Sequence, residues 1–400
     1  MTIATNTKVF VMKYTFTLLI LFFLCINTWA QSSLSVLTYS NKSDKANVEG
    51  YIIKAGDGFG LAGVISHKVF LQKLGKQKNI TWQSTWHDTG NFFGIIKFIY
   101  CKNGGFVIAS ETAVNGTMVF KTDASGNILW NKIYKNNNAT FFLPPANTIT
   151  ELSDGSFILV SIINQNNKTY TGLLKIDGNN GNVLNWMVIA NKNQTEILSI
   201  APTKDSGFVL AGRYSSSEAY FTVIKFNKNE GIEWNAYYNT SNPTVSYKRE
   251  ANAIKQTSDG GYILTGYGPS QENISSDLYV MKLNATGEAQ WTVKAGTVGD
   301  DIGEDVMETS DSGYAITSHS GNSVAVAIKL NKAGKCTWSK ILTPGETRLT
   351  PIAIIPDNND YLISGVYQGH LLGNDAIVYG IFSADVASDG SYCANSSPFR

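Results

Sequence analysis

The chain has 400 residues, enough for two or three average domains or one large all-β domain, and 43% of them are hydrophobic. Twelve per cent aromatic residues beside 36 glycines suit short strands and tight turns. With 32 basic and 31 acidic side chains, and only four arginines (Arg213, Arg249, Arg348 and Arg400), composition argues against nucleic acid, an anionic membrane surface or bidentate phosphate recognition.

The first predicted element is a secretory signal over residues 1–30. Lys8 and Lys13 precede the apolar run Thr17 to Ile26, which is too short to span a bilayer. Thr28-Trp29-Ala30 then places small residues where a signal peptidase cuts, so cleavage is expected after Ala30 and no membrane insertion after that. A lipid anchor at Cys25 is disfavoured by the bulky Leu24 before it. Cleavage leaves Cys101, Cys336 and Cys393, an odd and widely spread set that reads as isolated buried thiols rather than a disulfide framework. A pair of Cys336 with Cys393 is conceivable.

Residues 31–400 read as one domain built from a sevenfold repeat. One aromatic stands in the same register in every copy: Phe59, Phe106, Phe157, Phe208, Tyr262, Tyr314 and Tyr361, at spacings of 47 to 54 residues. Asp or Asn precedes it by three in six copies, and Gly or Ser follows it by four in all seven. A second landmark is Trp82, Trp130, Trp186, Trp234, Trp291 and Trp338; the seventh copy lacks it. In the fifth copy the spacing predicts strands over Ala251 to Gln256, Tyr262 to Tyr267, Leu278 to Leu283 and Ala289 to Val293. The turns are Asp259-Gly260-Gly261 and Asn284-Ala285-Thr286-Gly287, where Asp or Asn bonds its own backbone and Gly accepts positive φ.

A lone four-stranded meander of about 50 residues cannot cover both its faces, so the copies must be arrayed, and closing the array removes the exposed ends. The expected fold is all-β: a seven-bladed β-propeller of four-stranded antiparallel blades. The seventh copy lacks a good fourth strand, while Leu34 to Tyr39 is a spare one, so an N-terminal strand is expected to close the ring. A C-terminal strand near Tyr392 is the alternative.

The unit SDGGYILTG followed by LNATGEAQW resembles the β-propeller repeats of secreted proteins of Bacteroidetes-type bacteria. That resemblance implies export and, often, a role in surface binding. The segment Asn284 to Trp291 is also similar to the tryptophan-docking repeat of quinoprotein propellers, which implies that each of the six Trp locks one blade to the next.

A residue present in every copy serves the blade, whereas a site breaks the symmetry. The recurring lysines Lys73, Lys121, Lys175, Lys225, Lys282 and Lys329 are therefore read as structural, and the turn acids Asp154, Asp205, Asp259 and Asp311 as products of turn geometry alone. A sialidase would need an arginine cluster, and a quinoprotein dehydrogenase a calcium-held cofactor site with adjacent cysteines. A hydrolase would need clustered histidines or a Ser-His-Asp set, and the four histidines are scattered.

Three irregular segments remain. Asn138 to Asn147 carries Phe141 and Phe142; Tyr237 to Arg249 carries Tyr237, Tyr238 and Tyr247; Gly299 to Asp305 carries four acids that could hold Ca²⁺. The candidate ligand-binding residues are Phe141, Phe142, Tyr237, Tyr238, Tyr247 and Arg249, with no catalytic residue, metal ligand or cofactor assigned. The expectation is a monomeric, secreted or periplasmic, non-catalytic propeller that binds or scaffolds a polysaccharide or protein partner. A carbohydrate-active enzyme with a channel site, and a structural component of a surface assembly, are the other readings.

Overall fold

The computed structural model describes residues 49–390, apart from the connections at 66–67, 88–91, 113–115, 136–138, 143–147, 166–167, 192–194, 216–218, 240–248, 271–274, 322–323, 343–347 and 371–376, together with three strands of the N-terminal region. No helix occurs among these residues, so none is long and apolar enough to cross a membrane.

Seven antiparallel sheets follow one another, each built from one copy of the repeat. In blade five the strands are Glu250–Gln256, Tyr262–Pro269, Ser276–Leu283 and Ala289–Ala295, each within three residues of the expected bounds. Blade three departs from the pattern. Its first strand is split into Ala139–Phe142 and Ile149–Glu151, and both pieces pair with Phe157–Gln165. The ring is closed as expected: Leu34–Tyr39 pairs antiparallel with Ile377–Val386, with Leu34 opposite Ala384 and Tyr39 opposite Tyr379. Two short strands, Phe10–Val11 and Ile20–Phe22, extend that sheet outward. The alternative closure near Tyr392, and Cys393 with it, lies outside the described residues.

The repeat landmarks are the core. Phe59, Phe106, Phe157 and Phe208 are fully buried and Tyr262, Tyr314 and Tyr361 nearly so. Burying each such side chain contributes about 1.5–3 kcal/mol of transfer free energy. Burial pushes the Tyr262, Tyr314 and Tyr361 hydroxyls up to about 12. The small residue four positions on is needed because the first strand bulges over it. A Cβ on Gly266 would sit 1.8 Å from the Glu250 carbonyl oxygen, and Gly212 and Gly365 are in the same position against Glu196 and Thr350.

Trp and aromatic landmarks meet across blades. Trp82 packs edge-on against Phe106, Trp234 against Tyr262 and Trp291 against Tyr314, with ring centroids 5.5–6.0 Å apart. The Trp also lies on the glycine of the next blade's second turn. A Cβ on Gly126, Gly181, Gly287, Gly334 or Gly390 would fall 2.6–2.9 Å from Trp82, Trp130, Trp234, Trp291 or Trp338. Trp82, Trp130 and Trp338 donate their indole N–H to backbone carbonyls of the next blade at 2.9–3.1 Å.

Docking by all six Trp does not hold. Trp186 is 42% exposed. The turn before it is one residue longer than its counterparts, closing from Asp177 N to Asn182 O where blade two closes from Asp123 N to Asn127 O. That places Asn185, not Trp186, opposite the strand-three lysine, the position held by Trp in the other five. A one-residue slip sends a strand side chain to the other face. Cys336 likewise departs from expectation: it is exposed, whereas Cys101 is buried, its thiol pushed up to about 12 by desolvation and the Glu151 charge.

Candidate functional site

Meander topology puts the two tight turns of every blade at one face of the ring. The hairpins between strands two and three and the inter-blade connections lie at the other.

The tight-turn face is structural. In four blades the strand-three lysine, buried in three of them and half-buried in blade three, meets the turn acid of its own blade: Lys175–Asp154 at 3.3 Å, Lys225–Asp205 at 2.7 Å, Lys282–Asp259 at 3.0 Å and Lys329–Asp311 at 2.8 Å. Lys121 lacks a turn acid and donates to the Gly178 carbonyl, while in blade one the turn acid is Asp57, two residues before Phe59, and Lys73 donates to the Ala55 carbonyl. Turn geometry alone therefore does not account for the acids; each also neutralises a buried or half-buried cation. Partial burial disfavours the Asp259 and Asp311 carboxylates, but hydrogen bonds from Thr257, Lys282 and Gly261, and from Lys329, Thr309 and Gly313, outweigh it and hold both at about 2.

Two blade junctions replace the Trp–Gly dock with an ion pair. Between blades three and four, Glu230 occupies the glycine position at φ 64° and bonds Lys175 at 2.8 Å and the Asn185 amide at 2.7 Å. Between blades seven and one, Lys78 occupies that position at φ 62° and pairs with Asp385 and, at 3.1 Å, with Asp357. Asp385 stands where the other blades carry the lysine.

The four acids of Gly299 to Asp305 do not converge. Asp300 accepts from Ser276 N at 2.8 Å, and buried Asp301 accepts from Thr297. Glu304 lies 2.9 Å from His319 Nδ1, and buried Asp305 takes Lys255 at 2.8 Å and Ile354 N at 3.1 Å. No group of three or more His, Cys, Asp or Glu suited to a metal ion occurs among the described residues.

The candidate ligand residues separate. Phe141 and Phe142 end the split first strand of blade three, opposite Ile163 and Ile162. Tyr247 lies outside the described residues. Arg249 is 2% exposed, so it does not present its guanidinium at the surface. Tyr238 turns into the next blade and donates its hydroxyl to Gly287 O at 2.5 Å, as Tyr134 does to Gly181 O at 2.6 Å. Among the candidates whose side chains are described, Tyr237 is the one open to solvent, at 49% exposure.

Tyr237 is not isolated. Its ring lies 4.5 Å from that of Tyr214, which lies 6.2 Å from that of Tyr220. Tyr214 and Tyr220 are directly opposite across the strand-two to strand-three hairpin of blade four, and Tyr237 is one register step along. All three therefore share one face of the sheet. On the other face Arg213 is held between Glu196 at 2.6 Å and Glu250 of blade five at 2.8 Å. Tyr214 and Tyr220 escaped sequence reasoning because their hairpin has ordinary length; two tyrosines bracketing Ser215 to Ala219 were the available signal.

No protein-family model matches the chain, and no curated protein sequence matches it. Solved structures do. One, a puromycin hydrolase, superposes with a TM-score of 0.52 at 8% identity, over 91% of this chain and 57% of that one. The present chain thus spans little more than half of that structure, and the likeness is one of fold. A second, a protein of unknown function from Bacteroides caccae, gives a TM-score of 0.40 at 12% identity over 74% of this chain and 94% of that one. The protein is a seven-bladed β-propeller.

Proposed function

We propose that the protein is an exported, monomeric propeller that binds a polysaccharide or a protein partner, without catalysis, through the blade-four part of the face opposite the tight turns. The observation that carries this reading is the half-exposed Tyr237 ring seated against Tyr214. Recurring side chains are absorbed by the blades, whereas Tyr214, Tyr220 and Tyr237 share one sheet face of blade four and fall outside the repeated positions. Export rests on the signal-like residues 1–30. Their removal would leave Leu34–Tyr39 as the outermost strand of blade seven. The puromycin hydrolase likeness supports an architecture and carries no reaction to this chain.

The test is a glycan array together with cross-linking to a purified partner, run on the mature protein and on Tyr237→Ala. Binding by the wild type that is lost in the variant supports the reading. Equal behaviour of the two in both formats overturns it. N-terminal sequencing of the recovered protein checks export, with a start at Gln31 expected.

A further inference from the structure

We infer that the ligand of this face is a neutral glycan, laid along the outer strand of blade four. The inference rests on the binding reading above and names its ligand class.

Alternate residues of a strand point to the same side. In Ile232–Tyr238, Trp234 and Tyr238 turn into blade five, while Asn235 and Tyr237 lie on the other side and are both exposed. The stripe is thus one aromatic ring beside one amide, two strand residues or about 6.8 Å apart. Contact with Tyr214 braces the Tyr237 ring, so little side-chain freedom is lost when a ligand covers it.

This set matches a sugar ring. One face of a pyranose presents C–H groups, which suit the electron-rich face of Tyr237. Its rim presents hydroxyls, which both donate and accept, as the Asn235 amide does. No Lys or Arg occurs from 232 to 239, and the one acid there, Glu233, is tied to Lys225 at 3.0 Å. Arg213 is on the opposite face and committed to two glutamates. The stripe therefore offers no cation for a sulfated, phosphorylated or uronic-acid chain. A stable protein partner would cover about 800 Å² per side, far more than a stripe one strand wide.

The test is native affinity electrophoresis of the mature protein through gels holding a neutral polysaccharide (a β-glucan, a xylan or a mannan) or anionic alginate. Titration calorimetry with oligosaccharides of the retarding polymer follows. Retardation by at least one neutral polymer and none by alginate is expected. Tyr237→Ala should weaken binding about tenfold or more with unchanged thermal unfolding, because the ring is largely outside the core, while Tyr237→Phe retains binding. No retardation by the neutral polymers, stronger retardation by alginate, or wild-type affinity in Tyr237→Ala would each overturn the inference. Should sugars fail while Tyr237→Ala abolishes binding to a defined protein partner, the ligand class falls and the binding face stands; should both fail, both fall.

Discussion

Glu230 of blade four reaches back to Lys175 of blade three at 2.8 Å, in the two repeat positions where Lys78 and Asp385 meet with their charges exchanged at the closing junction. Lys175 is only 14% exposed. Burial alone would lower its pKa, yet the hydrogen bonds and charges of Glu230 and Asp154 outweigh burial and hold it raised. Glu230→Lys sets two ammonium groups against each other in a half-buried place and should cost about 2–4 kcal/mol. The closing junction shows that the opposite polarity is compatible with the same backbone. Glu230→Lys combined with Lys175→Asp should therefore recover most of the loss, while Lys175→Asp alone does not. Urea denaturation of the three variants measures this, and additive losses in the double variant would refute it.

Gly334 tests the Trp dock against its simplest control. Its φ is +78°, and a Cβ would press on the Trp291 ring at 2.9 Å. Gly155 has nearly the same φ, +79°, with nothing within 4 Å. Gly155→Ala should cost only the left-handed backbone strain, about 1–2 kcal/mol. Gly334→Ala adds displacement of a packed indole and should cost about 2–4 kcal/mol, with a shift in Trp fluorescence. Equal costs would mean that the glycine is kept for its φ alone.

The sequence made the ring, its copy number and its clasp legible because each is written in a repeated register: one aromatic, one small residue, one turn per copy. What escaped depended on single breaks in that register. Trp186 looks like the other five, but it stands nine residues after its turn's Asp177 instead of the seven that separate Asp123 from Trp130, and that difference decides which face it takes. Arg249 and Tyr238 look like surface residues in a polar insertion. Burial of the first and the reach of the second to Gly287 depend on how blade four lies against blade five, which local pattern does not encode. The pairing of lysines with turn acids was half visible: both recur, but their contact joins the first turn to strand three, 18 to 23 residues apart in the chain.

That contact is asymmetric, and the asymmetry predicts which half matters. Lys329 is 4% exposed, whereas its partner Asp311 is 63% exposed. Asp311→Asn leaves a buried ammonium with little beyond the Leu330 carbonyl, and should cost about 3 kcal/mol. Lys329→Met leaves a carboxylate that water can solvate and a buried methylene stem that still packs, so about 1 kcal/mol is expected. Chemical denaturation of the two variants decides the order; Lys329→Met as the costlier change would show that the carboxylate, not the ammonium, is the group that cannot stand alone.

The same pairs set an acid limit. Asp259 and Asp311 have folded pKa values of about 2, below the unfolded carboxylate value of about 3.9. A depressed carboxylate stabilises the folded state above the unfolded pKa, and that contribution is lost as pH falls through the folded one. Asp205 and Asp154 shift in the same direction. Stability should thus be flat with respect to these groups above about pH 5 and decline between about pH 4 and pH 2. Replacing Asp259 and Asp311 together with Asn lowers stability at neutral pH and flattens the decline. Urea midpoints taken from pH 7 to pH 2 check it: an unchanged slope in the double variant would place the acid sensitivity in other depressed carboxylates, such as Asp205 and Asp154.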